Sequence, residues 1–215
     1  MELTISEENY LKAIYKLSQK GHDRVSTNAI AKEMATAAAS VTDMIQKLAE
    51  KDLVNYQKYK GSQLSPSGLN IAMKLIRKHR LWEVFLHDKL NFGWDEVHDI
   101  AEQLEHIQST ELTDRLDQFL GFPKFDPHGD PIPNAAGNFT LRQQSILATL
   151  SIDDQGVIIG VTEHSPDFLR LLEKKGMKLG RRVIVNAKHQ FDQSMELQLD
   201  NGHSITVSQS VCANI

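Results

Sequence analysis

The first 64 residues of this 215-residue chain carry the pattern that most restricts its fold. Thr4 followed by Glu7 reads as a capping box, and Tyr10, Ile14 and Leu17 recur at i, i+4, i+7, which predicts a helix over 4–20 stopped by Gly21. TNAIAKEM (27–34) is a short helical pattern. After Ala35-Thr36-Ala37, Val41, Ile45 and Leu48 share one face of a further helix at about 37–49. LVNYQKYKGSQL then sets two extended runs around Lys60-Gly61, a hairpin signal. Helix, short helix, turn, amphipathic helix and hairpin, in that order, make the pattern of a winged helix-turn-helix.

Ser65-Pro66 supplies a cap and a first-turn proline for a long helix over about 66–89, ended by Asn91-Phe92-Gly93. Helices at about 95–108 and 110–120 follow, the latter closed by Gly121. The stretch 121–138 holds four of the six prolines and reads as a linker or ordered loop. Beyond it, runs at 156–161, 181–187, 195–200 and 203–208 read as strands. Asn201-Gly202 joins the last two, and one helix at about 166–175 interrupts the series. The expected class is mainly α with a small β domain resembling a little barrel. The expected division is 1–64, 65–139 and 140–215.

The net charge of −4 hides an uneven distribution. Residues 61–80 hold four basic and no acidic side chains, whereas 81–130 hold three basic against twelve acidic. His79, His87, His98, His106 and His128 fall in or beside that acidic stretch, and imidazole and carboxylate are both ligands for a divalent cation. No apolar run approaches the ~18 residues of a membrane span. The start MELTISEENY is too acidic for a signal peptide, and a lone Cys212 builds no disulfide framework, so a reducing cytoplasmic setting is expected. P-loop, G-x-S-x-G, G-x-G-x-x-G and H-E-x-x-H patterns are absent.

In HDIAEQLEH, His98, Glu102, Glu105 and His106 stand at i, i+4, i+7, i+8 and would share an arc of about 100° on one helix. His79 and Glu83 repeat the i, i+4 spacing upstream. Either these stripes face water as a solvated surface, or they converge and require a cation to neutralise the crowded carboxylates. With no thiolate among them, the ion would be Mn2+, Fe2+, Co2+ or Zn2+.

RKHRLWEVFL (77–86), WDEVHDIAEQLEH (94–106) and GFPKFDPHGDPIP (121–133), following a winged helix, resemble the diphtheria-toxin-repressor and manganese-transport-regulator family. The resemblance runs from about residue 4 to 215, with the tail similar to the family's SH3-like or ferrous-transport-A-like domain. It implies a metal-activated homodimeric repressor of metal-uptake genes that binds a palindromic double-stranded DNA operator and is not an enzyme. No membrane and no small-molecule substrate are implied.

The same resemblance implies a primary metal site of Asn9, Glu102, Glu105 and His106. Glu102 stands where iron-responsive members carry Cys, which implies Mn2+ as cofactor, with Fe2+ the other candidate and Co2+ or Zn2+ as substitutes in vitro. Asn9 departs from the usual Met or Asp, and Lys12 stands where two-metal manganese regulators carry Glu. An ancillary site would draw on His79, Glu83 and His98, or on Asp126 and His128 with one of Glu163, His164 or Asp167. His22, His189 and His203 have no matching partners and read as surface residues.

The recognition helix would present Ala37, Ala39, Ser40, Thr42 and Asp43, with Lys47, Lys58 and Lys60 as phosphate contacts. Leu81, Trp82, Phe85, Leu112, Leu116 and Phe119 form the expected dimer face, or simply core. Two rivals remain at this stage: a metal-dependent hydrolase, and a winged-helix protein whose His/Glu stripes are merely solvated.

Overall fold

In the computed structural model, which describes residues 3–19, 21 and 24–215, helix α1 (Ile5–Ser18) begins at the expected cap. The Thr4 hydroxyl accepts from the Glu7 N–H, and the Glu7 carboxylate accepts from the Thr4 N–H. Helices α2 (Thr27–Glu33) and α3 (Ala38–Glu50) follow, then the antiparallel hairpin β1 (Val54–Gln57) and β2 (Gly61–Leu64). Val25 and Ser62 exchange both backbone hydrogen bonds, each at 2.8 Å, adding a short third edge to the hairpin. Gly61 permits this approach, since a Cβ there would lie 2.6 Å from the Val25 carbonyl oxygen. Leu11, Ile14, Ile30, Val41, Ile45 and Leu48 are fully buried together, so the predicted helical stripes are the core. His22 lies outside the described residues.

Helix α4 (Pro66–Leu90) starts where Ser65 Oγ accepts from the Gly68 N–H at 3.0 Å and ends at Asn91, whose φ of 58° breaks the helix. Helix α5 (Val97–Leu104) is shorter than the expected 95–108, and α6 spans Thr110–Phe119. This corrects the single-face reading of HDIAEQLEH, because Glu105 and His106 lie in a turn beyond the last helical residue. Their side chains are held by tertiary partners, described below, and not by helical periodicity.

The chain divides into two compact units. The first comprises 1–79, 102–114 and 133–138. The second comprises 80–101, 115–132 and 139–215. In the second, β3 (Gln155–Val157), β4 (Arg182–Lys188), β5 (Met195–Leu199) and β6 (Ser204–Val207) form an antiparallel sheet in that order. Alternating Val183, Val185, Met195, Leu197 and Leu199 pack against Leu169 and Leu172 of α7 (Pro166–Lys174). The 156–161 run is only partly strand. Past Val157 its N–H groups turn to loops, Ile158 to the Arg181 carbonyl and Val161 to the His128 carbonyl. A 3-10 turn at Leu147–Thr149 and a short helix α8 (Gln209–Cys212) were not foreseen. Among the described residues, no helix is long and apolar enough to cross a membrane.

Candidate metal centres and DNA-facing surface

Among the described residues, imidazole and carboxylate groups cluster within each unit. In the first unit, Glu105 is fully buried. Its Oε2 accepts from Lys12 Nζ at 2.6 Å and lies 2.5 Å from His79 Nδ1, while its Oε1 is buried with no hydrogen-bond partner. Lys12 also donates to Glu102 Oε1 at 2.6 Å. His106 is oriented by Glu8: Nδ1 lies 2.6 Å from Glu8 Oε2, and Gln108 Nε2 donates to the other Glu8 oxygen at 2.7 Å.

A carboxylate can only accept, so the proton sits on His106 Nδ1 and the lone pair on Nε2, 3.8 Å from the unpartnered Glu105 Oε1. Asn9 Oδ1 is likewise buried without a partner. Two buried oxygens without partners, on Asn9 and Glu105, and an imidazole nitrogen are donors of the type a divalent cation takes. Each of the two oxygens would otherwise carry a desolvation penalty of ~1–3 kcal/mol.

In the second unit, Glu83, Asp126 and His128 are all buried and offer ligand atoms within 4.8 Å of one another. The loop around FDPHGD is shaped by Asp126, whose Oδ1 accepts from the N–H groups of His128 (2.8 Å) and Asp130 (3.0 Å). Arg80 braces it from α4, with Nη2 on Asp130 at 3.0 Å and Nε 3.5 Å from Asp126 Oδ2.

His128 Nε2 lies 2.7 Å from the Trp94 carbonyl, which again only accepts. Nε2 therefore carries a proton, and Nδ1 is buried, lacks a hydrogen-bond partner, and faces Glu83 at 3.8 Å and Asp126 at 4.0 Å, where it offers a lone pair once the ring loses its second proton. Burial, reinforced by the charges of Glu83 and Asp130, raises the Asp126 carboxyl to about 7 against the opposing pull of Arg80 and His128. Burial depresses the His128 imidazole, but the neighbouring Glu83 and Asp126 carboxylates outweigh it and lift the group to about 8. Asp126 and His128 both hold their protons more tightly than usual, and a cation bound between them would displace those protons.

Of Glu163, His164 and Asp167, His164 is the one that joins this cluster: its ring stacks on His128 with centroids 4.8 Å apart. Glu163 instead accepts from the Ser165 N–H, and Asp167 pairs with Arg170 at 2.8 Å, each drawn off by a nearer partner. His98 is partly exposed and reaches Glu83 Oε1 at 3.4 Å. His79 lies one turn before Glu83 on α4, with its Nδ1 engaged by Glu105.

Sequence reasoning missed Glu8, Arg80 and the Trp94 carbonyl. Glu8 and Arg80 act through other side chains, and a backbone acceptor leaves no residue-type signal. Gly129, with φ of +90°, is also part of the loop, and a Cβ there would lie 2.1 Å from the Ile159 carbonyl oxygen. Gly129→Ala is expected to destabilise the second unit by ~2 kcal/mol or more and to weaken its Mn2+ binding, read by thermal melts and calorimetry.

The chain matches family models along most of its length: the iron dependent repressor N-terminal DNA binding domain over 2–62, its metal binding and dimerisation domain over 65–134, and an FeoA domain over 146–215. The HTH-type transcriptional regulator MntR of Bacillus pumilus is 37% identical over 120 residues, covering 55% of this chain and 81% of the relative. The chain belongs to the iron-dependent repressor family. The iron-dependent repressor IdeR of Mycobacterium leprae is 29% identical over 196 residues, 86% of this chain and 85% of that protein. A solved structure described as a manganese-dependent transcriptional repressor in complex with manganese superposes with a TM-score of 0.87 at 34% identity, covering 97% of each chain.

Members of this repressor family are metal-dependent DNA-binding regulators, not enzymes. The exposed edge of its DNA-binding domain matches that role in form. Ala37, Ala39, Ser40, Asp43 and Lys47 on or beside α3 are exposed, and Thr42 is half-buried with its hydroxyl donating to the Ala38 carbonyl. Lys58 and Lys60 project from the exposed hairpin turn. Cys212, the lone thiol, is buried in the sheet core with its pKa pushed up to about 11 by burial, so neither cluster has a thiolate.

Proposed function

We propose that this protein is a manganese-activated homodimeric repressor of metal-uptake genes, acting on a palindromic operator in the cytoplasm, where the chromosome is. The observation that carries the metal dependence is the paired arrangement of His106 and His128. In each, one ring nitrogen is tied to an acceptor and the other faces a buried carboxylate, Glu105 Oε1 at 3.8 Å for His106 and Glu83 Oε1 at 3.8 Å for His128.

The primary site is Asn9, Glu102, Glu105 and His106; the ancillary site is Glu83, Asp126, His128 and His164. Purely oxygen and nitrogen donors favour Mn2+ over softer ions, with Fe2+ next and Co2+ or Zn2+ as substitutes. Ala37, Ala39, Ser40, Thr42 and Asp43 would read base edges, and Lys47, Lys58 and Lys60 would contact phosphates.

Dimerisation is supported by an aromatic run in the second unit. Trp82 stands edge-on to Phe85 at 5.7 Å, and Phe85 lies 6.3 Å from Phe119, which is 64% exposed, while Leu81 and Leu116 belong to the core beneath. A two-fold pair doubles the phosphate contacts and fixes the half-site spacing. The expected result is that affinity for an upstream palindrome, measured by gel shift, rises with Mn2+ and falls with EDTA. Binding unchanged by chelator sinks the reading.

A further inference from the structure

We propose that Arg142 is a positioning residue of the second cluster, a clamp that holds the segment carrying His128 against the segment carrying His164 so that the two imidazoles can serve one ion. This rests on the reading of Glu83, Asp126, His128 and His164 as an ion site, and it adds the residue that assembles that site.

Arg142 comes from a stretch, 139–146, that is neither helix nor strand. Its side chain nevertheless reaches two other segments of the second unit. Nη2 donates to the Gly129 carbonyl at 2.7 Å and also to the Ile159 carbonyl. The guanidinium lies over the Phe125 ring, 3.9 Å from its centroid. Phe125 and Gly129 belong to the loop that presents Asp126 and His128. Ile159 belongs to the run that gives up strand pairing past Val157 and leads on to His164.

The backbone is shaped for this contact. A Cβ on Gly129 would lie 2.9 Å from Arg142 Nη2 and 2.5 Å from the Gly160 Cα. A Cβ on Gly160 would meet Arg142 Nη2 and the His128 carbonyl oxygen, each at 3.3 Å. Two glycines, one from each segment, thus leave room for the guanidinium over their seam.

Within the seam, the Val161 N–H donates to the His128 carbonyl at 2.9 Å. His164 follows three residues on, with Nε2 3.2 Å from the Val161 carbonyl and its ring stacked on that of His128. The Gly129 and Ile159 carbonyl oxygens converge on one nitrogen, an approach that their like partial charges oppose and a shared cationic donor offsets. Arg142 therefore fixes where one imidazole stands relative to the other before any ion arrives, which lowers the ordering cost of binding.

Calorimetry with Mn2+ on the full-length protein tests the clamp. The binding event that His128→Ala removes is that of the second cluster. Arg142→Gln is expected to weaken this event about tenfold, as for other groups that orient ligands, and to leave the remaining Mn2+ binding at wild-type affinity. The clamp acts through His164, so the losses do not add. In a His164→Ala background, Arg142→Gln is expected to cost less than about a further twofold. A residue that only stabilised the domain would weaken binding by the same factor in both backgrounds. Should Arg142→Gln fold poorly, Phe125→Leu removes the ring beneath the guanidinium and is expected to show the same pattern.

A wild-type second event in folded Arg142→Gln overturns the clamp, as does the full tenfold loss in the His164→Ala background; in both cases the ion site stands. If His128→Ala removes no binding event, the ion-site reading fails and the clamp falls with it.

Discussion

Glu105→Gln removes the manganese-dependent gain in operator affinity, expected at about a hundredfold, or ~2.7 kcal/mol of coupling. Glu105 is fully buried beside Lys12 and His79. One oxygen is spent on Lys12 and His79 and the other is bare and buried. The amide keeps the volume and one acceptor oxygen for Lys12, but it replaces an anionic oxygen with a nitrogen that cannot ligate. The fold is therefore preserved better than in Glu105→Ala, which takes one of the two carboxylate partners from the Lys12 ammonium and leaves a cavity.

Lys12 and Glu8 tie α1 to the turn after α5, and loss of the ion is expected to remove the metal-dependent ordering of the DNA-binding domain. Fluorescence anisotropy on a labelled palindrome, with and without Mn2+, measures the effect. By reciprocity the wild type bound to DNA must hold Mn2+ tighter by the same factor. His203→Ala, on the exposed β5–β6 turn, serves as the control and is expected to behave as wild type. A Glu105→Gln protein that still responds fully to Mn2+ removes Glu105 from the activating site.

The second large effect is a thermal stabilisation by Mn2+ that grows with pH. The folded Asp126 carboxyl titrates at about 7, above its ordinary value of 3.8, so the folded state holds a proton that the unfolded state has released. The stability this proton confers is complete below pH 4 and is lost as pH rises through 7. His128 moves the same way: its folded value of about 8 exceeds 6.5, so its contribution is complete below 6.5 and gone above 8. Both terms make the metal-free second unit less stable between pH 6 and pH 8, because deprotonation leaves Glu83 and Asp126 as buried anions.

Mn2+ takes the place of those protons and is favoured by the same rise in pH. At an ion concentration a hundred times Kd the stabilisation is ~2.7 kcal/mol. That corresponds to a Tm increase of roughly 10 °C for a unit of this size. Scanning calorimetry at pH 6, 7 and 8 is expected to show the Mn2+-induced Tm increase widening with pH, and His128→Ala is expected to abolish the increase in the second unit. A pH-independent increase would mean that Asp126 and His128 are not the groups that exchange protons for the ion.

Local signals in the chain were read correctly where they satisfied local physics. Thr4 and Glu7 sit three residues apart and can hardly avoid capping a helix, and Ser65-Pro66 and Asn91 bound α4 for equally local reasons. The hairpin around Lys60-Gly61 and the alternation Met195, Leu197, Leu199 likewise need only nearest neighbours and burial. The errors fall where backbone groups answer to distant partners. Glu105 and His106 leave the helix for a turn pinned by Lys12, His79 and Glu8, and Ile158–Val161 give up strand pairing to hold the loop of His128.

The identity of the ligand types was thus written in the residues: imidazole and carboxylate in quantity within an acidic stretch, one remote cysteine, and a lysine where no ligand can be. Which nitrogen of each histidine is bare, which oxygen of Glu105 is spent, and which of Glu163, His164 and Asp167 turns inward were decided only on folding. Those outcomes depend on acceptors brought from 34 to 98 positions away, the Trp94 carbonyl for His128 and the Glu8 carboxylate for His106. Spacing along a chain sets which side chains share a face, but lone-pair direction and desolvation are properties of the packed surroundings.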